Sequence, residues 1–217
     1  MLADIQKLTD ILAIDADGRF SQEDRAAAIE LALFRYSSDR PRAVCETVVF
    51  DGSAFLSMPD GWQKDFSRVL DIKTDSGRVP FETVPSLSGE KILLSGDVRM
   101  GDVLTVWFTQ RHVATETEDT VPPADREAVA NWAAAFLLDG MAAGYAGSVN
   151  STISSDSVEH GSKANNYHAQ AAACRKFYRD HMGLDDKRNA AAGTTVVVKR
   201  SGTSGRMGIV NRRRNDD

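Results

Sequence analysis

The chain has 217 residues, 42% of them hydrophobic and 26% charged, with a net charge of −5, which is enough apolar content to bury the core of one main domain. This composition excludes a chain that is disordered or fibrous throughout. No run approaches the roughly 18 to 20 apolar residues that span a bilayer, and the first ten residues lack a signal-peptide pattern, so we expect neither a membrane protein nor an exported one.

Residues 1–40 are predicted to form a hairpin of two helices. Apolar residues recur at helical spacing and predict a first helix over residues 2–13: Leu2, Ile5, Leu8 and Leu12. Ser21, with Asp24 three positions later, has the pattern of a helix N-cap. The second helix is expected to continue from there until Pro41 stops it.

Residues 41–120 have the composition of an antiparallel β region. Short apolar or β-branched runs, separated by Gly and Asp, predict strands over residues 43–50, 91–95 and 103–109. The segment 62–74 contains strand-forming residues at a spacing of three, so strand and helix both remain open there. Pro80 and Pro85 favour edge strands or loops around them.

Residues 121–184 are predicted to be helical and to pack against the N-terminal helices. A third helix is expected after Pro123, with an apolar stripe formed by Val129, Trp132, Phe136, Leu137, Met141 and Tyr145. Residues 148–161 are interpreted as a polar loop. A fourth helix is expected over residues 162–181, closed by Gly183 as a C-cap.

Residues 185–217 are predicted to be an extended, basic C-terminal arm. Residues 185–193 have the composition of a linker, and 194–198 form a β-branched run without a hairpin partner in sequence. From Lys199 onward there are six basic and two acidic residues, a charge of +4, which leaves 20 basic and 29 acidic residues, or −9, in the first 198. An acidic body therefore carries a basic arm.

The predicted fold class is α+β, a bundle of about four helices with an inserted antiparallel β region and an extended C-terminal arm. The two cysteines exclude a disulfide framework, and we expect Cys45 and Cys174 to be buried thiols. The three tryptophans are interpreted as anchors of the core or of an interface: Trp62, Trp107 and Trp132.

No local motif carries a reaction. The glycines of the arm precede no helix that could cradle a phosphate, and the sequence has neither paired-cysteine spacing nor His-Glu-x-x-His. Asp156, Ser157 and His160 contain the residue types of a hydrolase triad, but such triads are assembled from separate elements rather than from neighbours in sequence. We therefore predict no enzyme, no metal and no cofactor.

A set of short motifs resembles the head-to-tail connector, or adaptor, proteins of tailed bacteriophages. The resemblance covers residues 40–184 and rests on Val106-Trp107-Phe108-Thr109 through His112, on Thr120-Val121-Pro122 with Asp125, Glu127 and Ala128, on the Ala-rich helix to Tyr145, and on residues 156–160 with Ser162, Lys163 and Tyr167. It implies a subunit of the phage neck in the virion, assembled in the host cytoplasm. Such subunits form a ring, expected to be dodecameric, that extends the DNA channel beneath the portal.

The resemblance implies three protein partners: the portal protein, neighbouring copies in the ring, and a downstream neck or tail protein. DNA would pass through the channel without sequence-specific binding, and an acidic body fits a lumen that repels phosphates. Asp156, Ser157 and His160 are the expected subunit interface.

The arm is expected to bind a partner by adding a strand to an exposed sheet edge, with its arginines meeting acidic groups. The expected partner-binding residues are Thr194, Val196, Val197, Val198, Lys199, Arg200, Arg206, Arg212, Arg213 and Arg214. Two other functions remain open: a tail-completion protein of the same particle, and a nucleic-acid-binding protein that uses the basic arm on phosphates.

Overall fold

The computed structural model describes residues 2–14, 18–86, 89–147 and 154–184, with side chains from residue 162 onward in the last segment. Within these residues the fold is α+β, as predicted. The elements are α1 Leu2–Leu12, α2 Gln22–Asp39, β1 Arg42–Val49, β2 Val69–Thr74, β3 Gly77–Arg78, β4 Phe81–Ser86, β5 Gly89–Leu94, β6 Val103–Gln110, α3 Arg126–Gly147 and α4 Ser154–Met182. A short 3₁₀ turn, Pro123–Asp125, precedes α3.

Helix ends follow the capping signals in the sequence. At the start of α2, Ser21 Oγ accepts a hydrogen bond from the Asp24 backbone N–H, and the Asp24 carboxylate accepts one from the Ser21 N–H, which completes a capping box. At the end of α4, Gly183 has a φ of 67° and Leu184 N–H donates to the Arg179 carbonyl at 2.9 Å. This is a Schellman arrangement, so the predicted C-cap is confirmed.

The third helix is the centre of the bundle. α1, α2 and α4 each pack on α3, while α1 and α2 contact each other much less. Alanines make this close packing possible, because their small side chains let neighbouring backbones approach: Ala128, Ala130, Ala133, Ala134 and Ala135 are all fully buried. On the predicted stripe, however, Trp132 and Phe136 are only half-buried.

The β region consists of two antiparallel sheets. One has four strands in the order β1-β6-β2-β3, with β1 and β6 paired along their full length from Arg42–Gln110 to Val49–Val103, and the other pairs β4 with β5. The ambiguous segment 62–74 is a strand only from Val69 onward. Pro85 lies in β4. Because a two-stranded sheet has only edge strands, β4 is an edge strand, as the proline predicted.

The two regions have separate cores. In the sheet, Leu104, Val106 and Phe108 point from β6 into a core that the loop after β1 and the β4–β5 hairpin cover. The opposite face of β1 is exposed at alternate residues, among them Cys45. The prediction that Cys45 is buried is therefore wrong, because the strand period of two places it on the solvent face. Cys174 on α4 is half-buried, and burial raises the pKa of its thiol.

The start of the fourth helix differs from the prediction. α4 begins at Ser154, so residues 154–161 are helical and the predicted loop over 148–161 is wrong for that part. The segment was interpreted as a loop because it is polar and lacks an apolar stripe, but a helix that is polar all round has the same composition. No helix among the described residues combines the length and the apolar character needed to cross a membrane.

Candidate functional site

The end of α2, the beginning of α3 and the end of α4 meet at one buried carboxylate, that of Asp125. Its side chain accepts a hydrogen bond from Tyr36 Oη at 2.6 Å and one from Arg40 Nη1 at 2.7 Å, both on Oδ2. His181 Nε2 lies 2.8 Å from the other oxygen, Oδ1. Asp125 is only 3% exposed. We call these four residues the Asp125 junction.

Ionisation in the Asp125 junction is set by two opposing effects. Burial raises the pKa of Asp125, but the hydrogen bonds from Tyr36, His181 and Arg40 and the charge of Arg40 outweigh it, so the pKa lies below its ordinary value. Burial and the hydrogen bond to Asp125 together raise the pKa of Tyr36, while Asp125 raises that of Arg40. The junction is therefore a carboxylate held ionised by three donors.

His112 joins the junction to the sheet. It follows β6, its ring lies 4.8 Å from the Tyr36 ring, and its Nε2 is 3.1 Å from the carbonyl oxygen of Arg40. Its Nδ1 is 2.9 Å from the Thr120 carbonyl oxygen, in the segment that leads to α3. Because Arg40 immediately precedes the Pro41-to-β1 connection, these contacts fix how β1 and β6 leave the helices.

A second carboxylate ties α4 to α2. Asp39 accepts hydrogen bonds from Tyr178 Oη and from Arg35 Nε, each at 2.8 Å. Tyr178 is fully buried, and burial together with its bond to Asp39 raises the pKa of the phenol. The two carboxylates and their tyrosines therefore clamp the C-terminal half of α4 onto the end of α2.

These clusters are suited to holding elements in place. Both oxygens of Asp125 already face donors from the protein, and within the described residues the His181 ring is hydrogen-bonded to Asp125 rather than to a Ser, Thr or Cys side chain. In the same part of the chain, no group of three His, Cys, Asp or Glu side chains is arranged to hold a metal ion. The Asp125 junction therefore holds three helix ends together and fixes them to the chain segments that enter β1 and leave β6.

Large apolar side chains are exposed at the end of the four-stranded sheet that is far from the helices. Val49 and Val103 are cross-strand partners and are 63% and 46% exposed, and Met100, in the adjoining turn, is 80% exposed. Backbone hydrogen bonds from Phe50 N to Asp102 O and from Gly101 N to Phe50 O hold the two chain segments together. We call Val49, Met100 and Val103 the sheet tip.

A shallow groove of about 500 Å³ lies beside the two-stranded sheet. Its lining residues are Phe55, Val84, Pro85, Ser86 and Lys91. Lys91 Nζ lies 6.0 Å from the centre of the Phe55 ring, and the lining includes no acidic or histidine side chain. This groove offers apolar contact area but no acid–base group.

The predicted site residues lie at the start of α4 and in the C-terminal residues outside the described part of the chain. Asp156, Ser157 and His160 lie in the first two turns of α4, where the backbone is described and the side chains are not. The predicted partner-binding residues lie outside the described residues: Thr194, Val196, Val197, Val198, Lys199, Arg200, Arg206, Arg212, Arg213 and Arg214. Each of the three tryptophans is half-buried, and the Trp132 ring contacts the Tyr178 ring in a tilted arrangement, with the ring centres 4.7 Å apart.

Sequence reasoning missed both the Asp125 junction and the sheet tip. In the sequence, Asp125 and His112 belong only to the short motifs quoted above, and His181 belongs to none. Nothing local reveals their meeting, since 56 residues separate Asp125 from His181. The sheet tip did have a signal, because Val49 and Val103 flank turns at Asp51-Gly52 and Gly101-Asp102.

Comparison with protein-family models and with curated protein sequences finds no match for this chain.

Proposed function

We propose that this chain is a structural subunit of the neck of a tailed bacteriophage, a head-to-tail connector that forms a ring, expected to be dodecameric, beneath the portal. The ring extends the DNA channel and joins the head to the tail. Its partners are the portal protein, neighbouring copies and a downstream neck or tail protein, and DNA passes through it without sequence-specific binding. The subunit does no chemistry in this role.

The observation that supports this role best is the sheet tip. Three large apolar side chains with exposures of 46% or more lie together at one end of a sheet whose other end is fixed to the helices. Contiguous exposed apolar groups mark sites of interaction, among them protein–protein contacts. A subunit with a rigid body and an apolar tip is suited to repeated side-by-side or end-on assembly.

Charge gives a second line of support. The first 198 residues carry a net charge of −9. DNA bears one negative charge per about 1.7 Å of duplex, so an acidic wall repels it and lets it slide. In this proposal the basic arm faces protein partners, and the start of α4 with Asp156, Ser157 and His160 contributes to the contact between neighbouring copies.

The proposal is tested by assembly rather than by catalysis. The full chain is purified, its mass is measured in solution alone and with a phage portal protein, and the complexes are imaged by electron microscopy. We expect ring particles that bind the portal. The triple variant Val49→Ser, Met100→Ser, Val103→Ser should lose ring formation while its circular dichroism stays unchanged.

A matched control uses three residues of the helical region that are similarly exposed, on α1, directly after α1 and on α2: Ile11→Ser, Ile14→Ser and Leu31→Ser. This variant should assemble like the parent. Equal assembly by the sheet-tip variant and the parent would contradict the role of the tip, and failure of the parent to bind the portal would contradict the function. Duplex DNA binding that disappears when residues 199–217 are removed would instead favour the nucleic-acid-binding alternative.

A further inference from the structure

The first strand of the sheet has a free edge along its whole length. In the order β1-β6-β2-β3, β1 is terminal, and β6 is its only strand partner among the described residues. No other backbone hydrogen bond to Arg42–Val49 is present within the described part of the chain. Eight residues at about 3.3 Å each leave roughly 26 Å of unpaired backbone N–H and C=O groups on one side.

The edge of β1 lacks the features that usually protect such edges. Native sheets discourage pairing with charged side chains, prolines, bulges or very short edge strands. β1 has eight residues, contains no proline and pairs with β6 in unbroken register. Its two charged side chains are engaged elsewhere, because Arg42 Nη1 is 3.5 Å from Glu118 and Glu46 Oε1 accepts a hydrogen bond from Gly61 N–H at 3.0 Å.

The C-terminal residues of the chain start beside this edge. His181, one residue before the end of α4, contacts Asp125, and Asp125 contacts Arg40, which precedes β1 by two residues. After Gly183 the chain continues from Leu184 for another 33 residues, 185–217. The tether to those residues is therefore fixed at the helix-proximal end of β1.

Residues 185–217 contain one run with the composition of a strand, Thr194-Thr195-Val196-Val197-Val198. Nine residues, 185–193, separate it from the described chain and can span about 30 Å when extended. That reach is as long as β1 itself. A tether of this length gives the segment an effective concentration at β1 of the same chain in the millimolar range. In dilute solution, the concentration of the same segment from a second copy is far lower.

We propose that, in the free subunit, residues 194–198 add to the edge of β1 of the same chain and extend the four-stranded sheet by one strand. Main-chain hydrogen bonds supply the attraction, and the β-branched side chains alternate between the two faces of the sheet. An antiparallel orientation places Lys199 and Arg200 at the helix-proximal end, near Glu118, which contacts Arg42 there. The inference concerns the subunit before assembly and does not depend on the proposed function.

The pairing also has a consequence for assembly. Residues 194–198 cannot occupy their own β1 and a strand edge of the portal at once. If the same segment binds a partner, it must first leave β1, and β1 then becomes free to accept a strand from a neighbouring copy. The edge would in that case be protected in the free subunit and exposed only on assembly.

Cys45 provides a native probe at the middle of β1, because its thiol is exposed on the open face of the sheet. In a Cys174→Ser background, each of residues 194–198 is changed to Cys in turn in the full-length chain. The proteins are oxidised mildly, and disulfides to Cys45 are quantified by peptide mass spectrometry and by mobility on a non-reducing gel. The experiment is run at two protein concentrations.

Strand addition predicts alternation. Either positions 194, 196 and 198 or positions 195 and 197 should form the disulfide at least about fivefold faster than the other set, since only one set shares the face of Cys45. The product should be an internal disulfide at both concentrations. Cys45→Ser should abolish it, and Val196→Pro, combined with a reactive cysteine, should reduce it by removing a donor from the strand.

Three results would overturn the inference. Equal rates at all five positions would show a tethered segment without strand pairing, and no disulfide at any position would show that the segment does not reach β1. Disulfides formed only between two chains would show that the edge belongs to a neighbour's arm. None of these outcomes bears on whether the chain assembles into rings on a portal, which the sheet-tip variants test.

Discussion

The helical region and the sheet region of this protein bury their apolar residues to different degrees. The central helix α3 is covered by α1, α2 and α4, and eleven of its residues are buried. The four-stranded sheet has a single covered face, an open face with Cys45 on it, a free β1 edge and an exposed apolar tip. The helices enclose a core around α3, although some apolar residues of α1 and α2, such as Ile11 and Leu31, are exposed. The sheet has, in addition, a face, an edge and a tip that nothing in the described chain covers.

This difference separates stability from recognition. A mutation in the helical core should act on folding, because each buried side chain there contacts several neighbours. A mutation at the open face or tip of the sheet should leave folding nearly unchanged and act on partners. The Asp125 junction lies between the two regions and should matter to both, since it fixes the ends of the helices and the connections to β1 and β6.

The largest effect is expected in the helical core. Leu138 on α3 is fully buried, so Leu138→Ala should lower the free energy of unfolding by about 4 kcal/mol through lost transfer energy and the cavity left behind. Leu31→Ala, a change of the same chemistry at an exposed position on α2, should cost less than about 0.5 kcal/mol. Urea unfolding followed by circular dichroism measures both, and equal losses would contradict the closed-core description.

The next effect is expected at the junction. Asp125→Asn removes the charge that Arg40 faces and gives a buried amide N–H₂ where donors converge, so it should cost about 3 kcal/mol at neutral pH. The pKa of Asp125 is below 3.8 in the folded protein, which means that its ionised form stabilises the fold above about pH 4 and that this contribution is lost at lower pH.

The difference between Asp125→Asn and the parent should therefore shrink between pH 7 and pH 3, as measured by urea midpoints at each pH. Glu118→Gln is the matched control, because Glu118 pairs with Arg42 at 3.5 Å in an exposed ion pair. Such pairs contribute about 0 to 1 kcal/mol. A constant difference for Asp125→Asn across this pH range would show that its effect is not one of charge.

A smaller effect is expected where a loop crosses the sheet. Gly61 N–H donates to Glu46 Oε1 at 3.0 Å, and its carbonyl accepts a hydrogen bond from Gln110 Nε2 at 2.8 Å. A Cβ at this position would overlap the Gln110 amide and lie 2.6 Å from Glu46 Oε1. Gly61→Ala should cost about 2 kcal/mol by displacing both side chains.

Gly147→Ala is the comparison for Gly61→Ala, since a Cβ at this helical position meets no atom of the described residues within 4 Å. Alanine favours a helix over glycine, so this change should be neutral or stabilising by up to about 1 kcal/mol. The melting temperature should therefore fall for Gly61→Ala and should rise or stay unchanged for Gly147→Ala. Identical shifts would mean that the loop over the sheet moves aside at little cost.

Most of the fold follows from local sequence signals. The capping box at Ser21, the C-cap at Gly183 and the strands of β1 and β6 were all predictable, because each depends on residues within a few positions of one another. The start of α4 was not, since its first eight residues lack an apolar stripe. The exposure of Cys45 was missed because the β-branched composition of β1 indicates a strand but not which face is covered.

The functional surfaces were far less predictable. The Asp125 junction joins residues 36, 40, 125 and 181, and only tertiary structure brings such distant positions together. The sheet tip required the register of β1 and β6, which sets Val49 opposite Val103. The interface proposed at Asp156, Ser157 and His160 and the arm from Thr194 onward remain predictions.

The smallest effect on stability is expected at the sheet tip, and it tests most directly whether the helical region and the sheet region have different roles. Met100 is 80% exposed, so Met100→Ser removes little buried apolar area and should change the unfolding free energy by less than about 0.5 kcal/mol. Ile92→Ala, in the covered core of the same β region, should cost about 3 kcal/mol because Ile92 is fully buried. Urea unfolding followed by tryptophan fluorescence reports on the β region through Trp107, which lies in β6, and Trp62, which packs against the core of that region.

The same Met100→Ser protein should assemble less well than the parent when ring formation is measured by mass in solution. A large loss of stability would show instead that Met100 packs against the turn at Gly52, which its Cβ approaches, and that the tip is part of the fold. Unchanged stability with impaired assembly is the combination that only a recognition surface produces. The sheet would then be the side of this protein that meets its partners, held in position by the closed helical core.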